Sequence, residues 1–386
     1  IDTLMRVAID AHTIGLRKSG NESYVSNLLA AMARLGTEAE VLAYVTARDL
    51  QARYPEVRLR RVSRNPLQRL GWDLPRLLRQ DWPDVLHVQY TAPLTCPAPL
   101  VVSVHDVGFA EHPEYFPGWR RRQLEITVRG TVRRAARVVT GSEFSRRATA
   151  RYYGLNPEWI DVVPIAAAPV FRPVRTELAR SRVMQRHQIP APYVLTVGDL
   201  QPRKNQAALV RAFAEAVRAK PELPHHLVVA GKEGWRGREV KEAARRCGVS
   251  ERIHFTGHVE DEALVELYNG CDVFVFPSLY EGFGIPVLEA MACGRAVACS
   301  ASTALPEVAD SAAILFDPRS INQMTQAILD LLLYPELRAR MERLGRRRAG
   351  QFDWGKTAAR MLEIYREAAA GEARGGRLRL PAGVNR

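Results

Sequence analysis

The sequence predicts an α/β protein built from two doubly wound, Rossmann-like domains facing each other across a cleft. Three observations predict it. Short apolar runs alternate with helical periods along almost the whole chain, the pattern of parallel sheets covered on both faces. The alternation is broken once, by the proline-spotted, arginine-rich stretch PVFRPVRTELARSRVMQRHQIPAP, and then restarts. The length, 386 residues, exceeds what one hydrophobic core usually holds.

The elements follow in order. Strands are expected at MRVAID, AEVLAYV, VLHVQY, LVVSVHD, RVVTGS and IDVVPIA, with helical periods over 21–35 and 118–136. After the break, strands are expected at YVLTVGD, HHLVVAG, RIHFTGH, DVFVFPS, AVACS and AAILFD. The chain is helical from 320, and GQFDW separates a helix over 335–349 from a last one over 354–369. The first domain is therefore 1–172, the linker 173–190 and the second domain 191–350. The tail, 371–386, has little to pack and is expected to be mobile. Ligands of such sheets bind outside the carboxyl ends of the strands, which makes the cleft the expected site.

Composition narrows the class. Apolar residues make up 47% and charged residues 25%, ordinary for a soluble globular protein. No apolar run reaches the length of a membrane span. The start, IDTLMRVAIDAH, reads as a strand rather than a signal peptide. Cys96, Cys247, Cys271, Cys293 and Cys299 show no CxxC spacing, so reduced, buried thiols and a cytoplasmic location are expected. The net charge of +13 suits nucleic acid, an anionic membrane or phosphorylated substrates, or is only solvated helix faces. Residues 51–150 hold 17 Lys/Arg against 9 Asp/Glu.

Five segments carry candidate chemistry. In PSLYEGFGIPVLEAMACG, a strand runs into a glycine-rich turn and then a helix, which aims backbone N–H groups and a helix dipole at one spot. Glu281 would accept hydrogen bonds from a hexose, Glu289 from a ribose, with a diphosphate between them on the N–H groups. The same spacing also suits a plain turn with an exposed Glu and a helix-start Glu. In VGDLQPRKNQ, Arg203 and Lys204 end a strand and can clamp a diphosphate, although paired basic residues in a loop are often merely solvated. His105, in VVSVHDVGF, ends a strand of the first domain and would bond a sugar hydroxyl, or else is structural. Gly20 opens the first helix, and His258 and Val259 end a further strand, where they can offer groups to a base. Taken singly, these last two signals are weak. No phosphate-loop motif, no D-x-D pair and no metal-ligand spacing occurs, so no metal is expected.

With these segments in order, the chain resembles the retaining glycosyltransferases of the GT-B fold, family 4 (group 1). EGFGIPVLE is similar to that family's E-x7-E motif, and VGDLQPRKN, FTGHVEDEALVELYNGCDVFVFPS and LPEVA fall in its order. HDVGFAEHPEYF is similar to mannosyl-transferring members. The resemblance implies that Glu281 lies at the donor sugar and Glu289 at the ribose. It implies that Arg203 and Lys204 neutralise the diphosphate, and that N–H groups of Phe283, Gly284 and Ile285 contact sugar and phosphate. It puts His105 on the sugar's other side and Gly20 near the phosphate. The C-terminal helix, 354–370, would complete the first, acceptor-binding domain. The chain departs from the family at Glu22, where a second glycine is usual, at Asp199, where Arg is frequent, and at IAAAP, in place of PNG.

The implied function is metal-independent, front-face transfer of a hexose, with mannose from GDP-mannose as the first choice, to a glycan or lipid-linked acceptor. The nucleotide sugar is a substrate, and no cofactor is expected. The alternatives are a sugar-nucleotide 2-epimerase of the same fold or a basic nucleic-acid-binding protein. Nucleic acid is not expected as a partner, because the arginine-rich segments lack interleaved aromatics. A peripheral contact with an anionic membrane, at the inner face of the plasma membrane, would explain the basic first domain. Arg129, Arg133 and Arg137 are spaced for one helix face, and Leu70, Trp72, Leu74, Leu77 and Leu78 lie among further arginines.

Overall fold

The computed structural model describes residues 4–16, 19–35 and 39–371, so the tail beyond Gly371 lies outside the described residues. The chain divides into two compact units: Ile1–Ile165 with Asp353–Arg386, and Ala166–Phe352.

Among the described residues, unit 1 holds a sheet of seven parallel strands. They are β1 (Met5–Asp10), β2 (Ala39–Val45), β3 (Arg58–Arg61), β4 (Val85–Gln89), β5 (Leu100–Ser103), β6 (Arg137–Thr140) and β7 (Ile160–Val162), in the order β3-β2-β1-β4-β5-β6-β7. Every residue of β4, β5 and β6 is buried, as a sheet covered on both faces requires. The order reverses direction between β1 and β4, which is the switch point of the sheet. β3 has no apolar alternation in its sequence, RLRR, and was not expected; it is an edge strand paired with β2 alone.

The last helix, Trp354–Ala369, belongs to unit 1. Asp353 caps it by accepting from Lys356 N. Trp354, Met361, Leu362 and Tyr365 are buried on one face. Tyr365 Oη lies 2.7 Å from His87 Nδ1 in β4, and Thr357 Oγ1 donates to Pro164 O. Burial pushes the His87 imidazole down to about 3, so it is neutral there. Arg137 pairs with Asp161 in β7 and with Glu367 of the last helix.

That pairing corrects the expected stripe of Arg129, Arg133 and Arg137. The helix is Gly118–Arg134, and Ala135 turns extended beyond it. Arg137 starts β6 and is 3% exposed. Arg129 lies over the rings of Tyr152 and Tyr153. Leu74, Leu77 and Leu78 are core, whereas Trp72 is exposed.

Unit 2 holds six parallel strands: β8 (Tyr193–Val197), β9 (His226–Ala230), β10 (Ile253–Gly257), β11 (Val273–Phe276), β12 (Ala296–Ser300) and β13 (Ile314–Phe316). Their order is β10-β9-β8-β11-β12-β13, with the switch between β8 and β11. The segment expected as a linker carries a helix, Thr176–His187, fixed to this unit by Arg180, which bonds Gly270 O and Asp272. At the carboxyl ends the chains approach closely. A Cβ on Gly231, at φ +150, would stand 2.1 Å from Gly198 O, so only glycine fits. No helix among the described residues is long and apolar enough to cross a membrane.

Candidate active site

The switch point of unit 2 brings together residues far apart in sequence. After β8 the chain forms a turn, Pro202–Lys204, that ends at Asn205 in the left-handed region. Asn205 Nδ2 donates to Pro277 O and to Pro318 O, and Leu279 N donates to Arg203 O. These bonds stitch the basic turn to the segment after β11. Sequence reasoning passed over Asn205; its signal was only its place after the basic pair.

Glu281 stands at the centre. Its Oε1 accepts from Lys204 Nζ at 2.6 Å and its Oε2 from Arg203 Nη1 at 3.1 Å. Arg203 Nη1 also reaches Tyr280 O, and the Lys204 ammonium sits 4.9 Å from the centre of the Phe276 ring. Glu281 N donates to Thr303 Oγ1. Glu281 is 7% exposed. Burial alone would raise its carboxyl, but Lys204 and Arg203 outweigh that and hold it down at about 2. Burial lowers Lys204 and Arg203 lowers it further, while Glu281 works against both. Arg203 and Lys204 thus bring two cations to the single carboxylate of Glu281.

Beyond Glu281 the chain turns at Gly284, φ +110, where a Cβ would meet Leu305 Cδ2 at 2.5 Å. The helix Ile285–Ala292 starts there without a side-chain cap. The N–H groups of Phe283, Gly284 and Ile285 thus lie at a helix N-terminus beside the cation pair, a setting that attracts an anion. Glu289 is one turn further on. It is 7% exposed and accepts from Tyr268 Oη at 2.8 Å. Burial raises its carboxyl to about 7, against the pull of Tyr268. Glu281 and Glu289, on either side of the turn at Gly284, thus have opposite shifts, Glu281 down to about 2 and Glu289 up to about 7.

Residues 180–348 match the family described as glycosyl transferases group 1, and residues 18–166 match glycosyltransferase family 4. The chain is 31% identical over 267 residues to O-antigen chain mannosyltransferase B of Escherichia coli, spanning 69% of this chain and 70% of the relative. It is also 31% identical to a D-inositol 3-phosphate glycosyltransferase of Acidothermus cellulolyticus, over 91% of this chain and 86% of the relative. The chain belongs to the family 4 (group 1) glycosyltransferases. Its fold is that of sucrose-phosphate synthase from Thermosynechococcus elongatus, with a TM-score of 0.75 at 22% identity over 95% of this chain and 99% of the other. It is a glycosyltransferase by its sequence relatives, with the GT-B fold.

Of the other expected positions of this glycosyltransferase, His258 and Val259 lie in unit 2, and Gly20 and His105 in unit 1. His258 and Val259 follow β10, the edge strand, with β9 and β8 between them and β11 in the sheet order. His258 Nε2 lies 3.3 Å from Glu260. In unit 1, Gly20 is exposed in the first turn of the helix Ser19–Arg34, with open space where a Cβ would be. Glu22, the departure from the family pattern, accepts from Gly15 N at 2.7 Å and so closes the loop before the helix. His105 Nε2 meets Gln89 Oε1 at 3.0 Å, and its ring packs edge-on to Tyr24 and Tyr90. Burial pushes it down to about 4, so it is a neutral hydrogen-bonding group.

Proposed function

We propose that the chain transfers mannose from GDP-mannose, with retention of configuration and without a metal, to a hydroxyl of a glycan or lipid-linked acceptor. The observation that carries this is the Arg203–Lys204–Glu281 cluster beside an uncapped helix start. A diphosphate laid on Phe283, Gly284 and Ile285 N–H groups would meet both cations. As the sugar–phosphate bond loosens, negative charge grows on the leaving oxygen, and Arg203 and Lys204 stabilise it there. This supplies the charge that a D-x-D metal supplies elsewhere. The carboxylate nearest this chemistry, Glu281, is engaged by two cations, which suits a positioning role better than nucleophilic attack. The route is then front-face: the acceptor oxygen bonds to the anomeric carbon as the leaving phosphate departs and takes the acceptor's proton. Glu289, facing Tyr268, suits the ribose hydroxyls.

The relative named as an O-antigen chain mannosyltransferase supports mannose as the sugar and a glycan as the acceptor. A cytoplasmic site of action at an anionic leaflet fits the basic unit 1. The helix Gly118–Arg134 presents Trp119, Arg122, Ile126 and Arg133 on one exposed face, and Leu67, Trp72 and Leu94 are exposed in the same unit.

The test is turnover of GDP-mannose and UDP-hexoses with mannoside acceptors, in EDTA, with the product anomer read by NMR. An α-mannoside formed in EDTA is expected. A β-product would overturn retention, loss of turnover in EDTA the metal-free route, and exclusive use of a UDP-sugar the donor.

A further inference from the structure

Unit 1 has a second gathering of polar groups, at the carboxyl end of its own sheet. Asp10 ends β1 at the switch with β4 and is 2% exposed. Its Oδ1 meets His12 Nδ1 at 3.0 Å and accepts from His12 N at 3.2 Å. Its Oδ2 faces Arg69 Nε across 3.9 Å, beyond hydrogen-bond reach. Arg69 is 6% exposed, and among the described residues its Nε has no hydrogen-bond partner.

That is an unusual way to bury a guanidinium. A structural Arg–carboxylate pair closes to about 2.7–2.9 Å, because an unmade buried hydrogen bond to a charged group is costly. Here the pair stands open. The backbone also departs from regular geometry at Arg69. Residues Arg69–Asp73 form a π-turn, with Leu74 N–H on Arg69 O, a feature frequent at functional sites. Two more buried groups at this end of the sheet have no hydrogen-bond partner among the described residues: Thr13 Oγ1, three residues past Asp10, and Gln89 Nε2, at the end of β4. Gln89 is the residue that holds His105. Were its amide turned the other way, its oxygen would be left alone instead.

We infer that Asp10 and Arg69 bind a hydroxyl of a neutral sugar, the acceptor of the transfer. Resting on the glycosyltransferase function proposed above, this names the chemistry of its acceptor side. A hydroxyl both donates and accepts, so one O–H can donate to Asp10 Oδ2 while its oxygen accepts from Arg69 Nε. A phosphate or carboxylate would set a second anion against the buried Asp10 carboxylate, which a neutral hydroxyl does not. Thr13 and Gln89 provide partners for a neighbouring hydroxyl.

The test is saturation-transfer NMR on the whole chain with methyl α-D-mannopyranoside at millimolar concentration, and phosphorus line broadening with inorganic phosphate. R69K keeps the cation beside Asp10 but removes the Nε–H in place, and D10N removes the acceptor charge. Circular dichroism checks the fold of each variant. The wild-type chain is expected to show transfer to the mannoside, at least tenfold weaker in both variants, and no phosphate broadening that depends on Arg69. Absence of mannoside binding by the wild type, equal binding by both folded variants, or phosphate binding lost in R69K would overturn the inference. GDP and UDP are titrated in parallel. If neither binds the wild type, the nucleotide-sugar function fails while the mannoside result still decides this site.

Discussion

Glu281 holds two cations at once, and Lys204 is the more tightly held of the two. Lys204→Ala should cost roughly 2–4 kcal/mol of transition-state stabilisation, about 10²–10³ in kcat. Steady-state kinetics at saturating donor checks this, and unchanged kcat in a folded variant would remove Lys204 from the mechanism. Glu289 gives a prediction in pH. Its value of about 7 in the folded chain lies above its ordinary 4.5. The stability linked to its proton is therefore complete below pH 4.5 and is lost as pH rises through 7. Glu289→Gln should flatten the fall in Tm between pH 5 and pH 8 by scanning calorimetry, a difference on the order of 3 kcal/mol at the alkaline end. If the ribose hydroxyls donate to its carboxylate, GDP should bind the wild type more tightly at pH 8 than at pH 6, and the variant should lose that gain. Neither partner relation was legible in the sequence. Glu281 and Lys204 were singled out, but for separate tasks. The chain positions of Tyr268 and Arg69 carried no sign of their neighbours.

The elements were far more readable than the contacts. A strand such as VFVF is apolar at every position because both faces are covered, and each expected strand formed. β3 escaped because RLRR is charged and lies at an edge, where one side has no strand to match. The stripe at Arg129, Arg133 and Arg137 failed for a different reason: a spacing of four extends past any helix end, and Ala135 ends this one. The exposed face of that helix runs instead through Trp119, Arg122, Ile126 and Arg133. Replacing Trp119 and Ile126 together by Ser should lower co-sedimentation with anionic vesicles several-fold, and high salt should lower it further. Equal recovery of both proteins with anionic and neutral vesicles would assign the charge to something other than a membrane. The convergence of the basic turn on Glu281 depends on β8 lying beside β11, a matter of strand order that local sequence does not encode.

For the whole molecule, the alternation and its single break were enough to expect two sheets, but not how unit 1 is finished. The helix Trp354–Ala369 buries Trp354, Met361, Leu362 and Tyr365, each side chain contributing about 1.5–3 kcal/mol, together comparable to the stability of a domain. Removing it also strips Glu367 from Arg137, a buried cation. A chain ending at Phe352 should therefore lose hydrogen-exchange protection in β4–β6 by at least tenfold, while β8 and β11 keep theirs. Protection retained in β4 would show that the helix is dispensable. The same connection reorders synthesis. Domains made first usually fold first. Here the ribosome makes the segment of unit 1 that ends at Ile165, then unit 2, and only afterwards the segment from Asp353 that completes the first. The nascent N-terminal sheet must wait, with the ground for helix 354–369 uncovered, while the later unit has all its own elements. This is a protein whose second half can mature first, and whose early intermediates are where a chaperone would find exposed apolar surface.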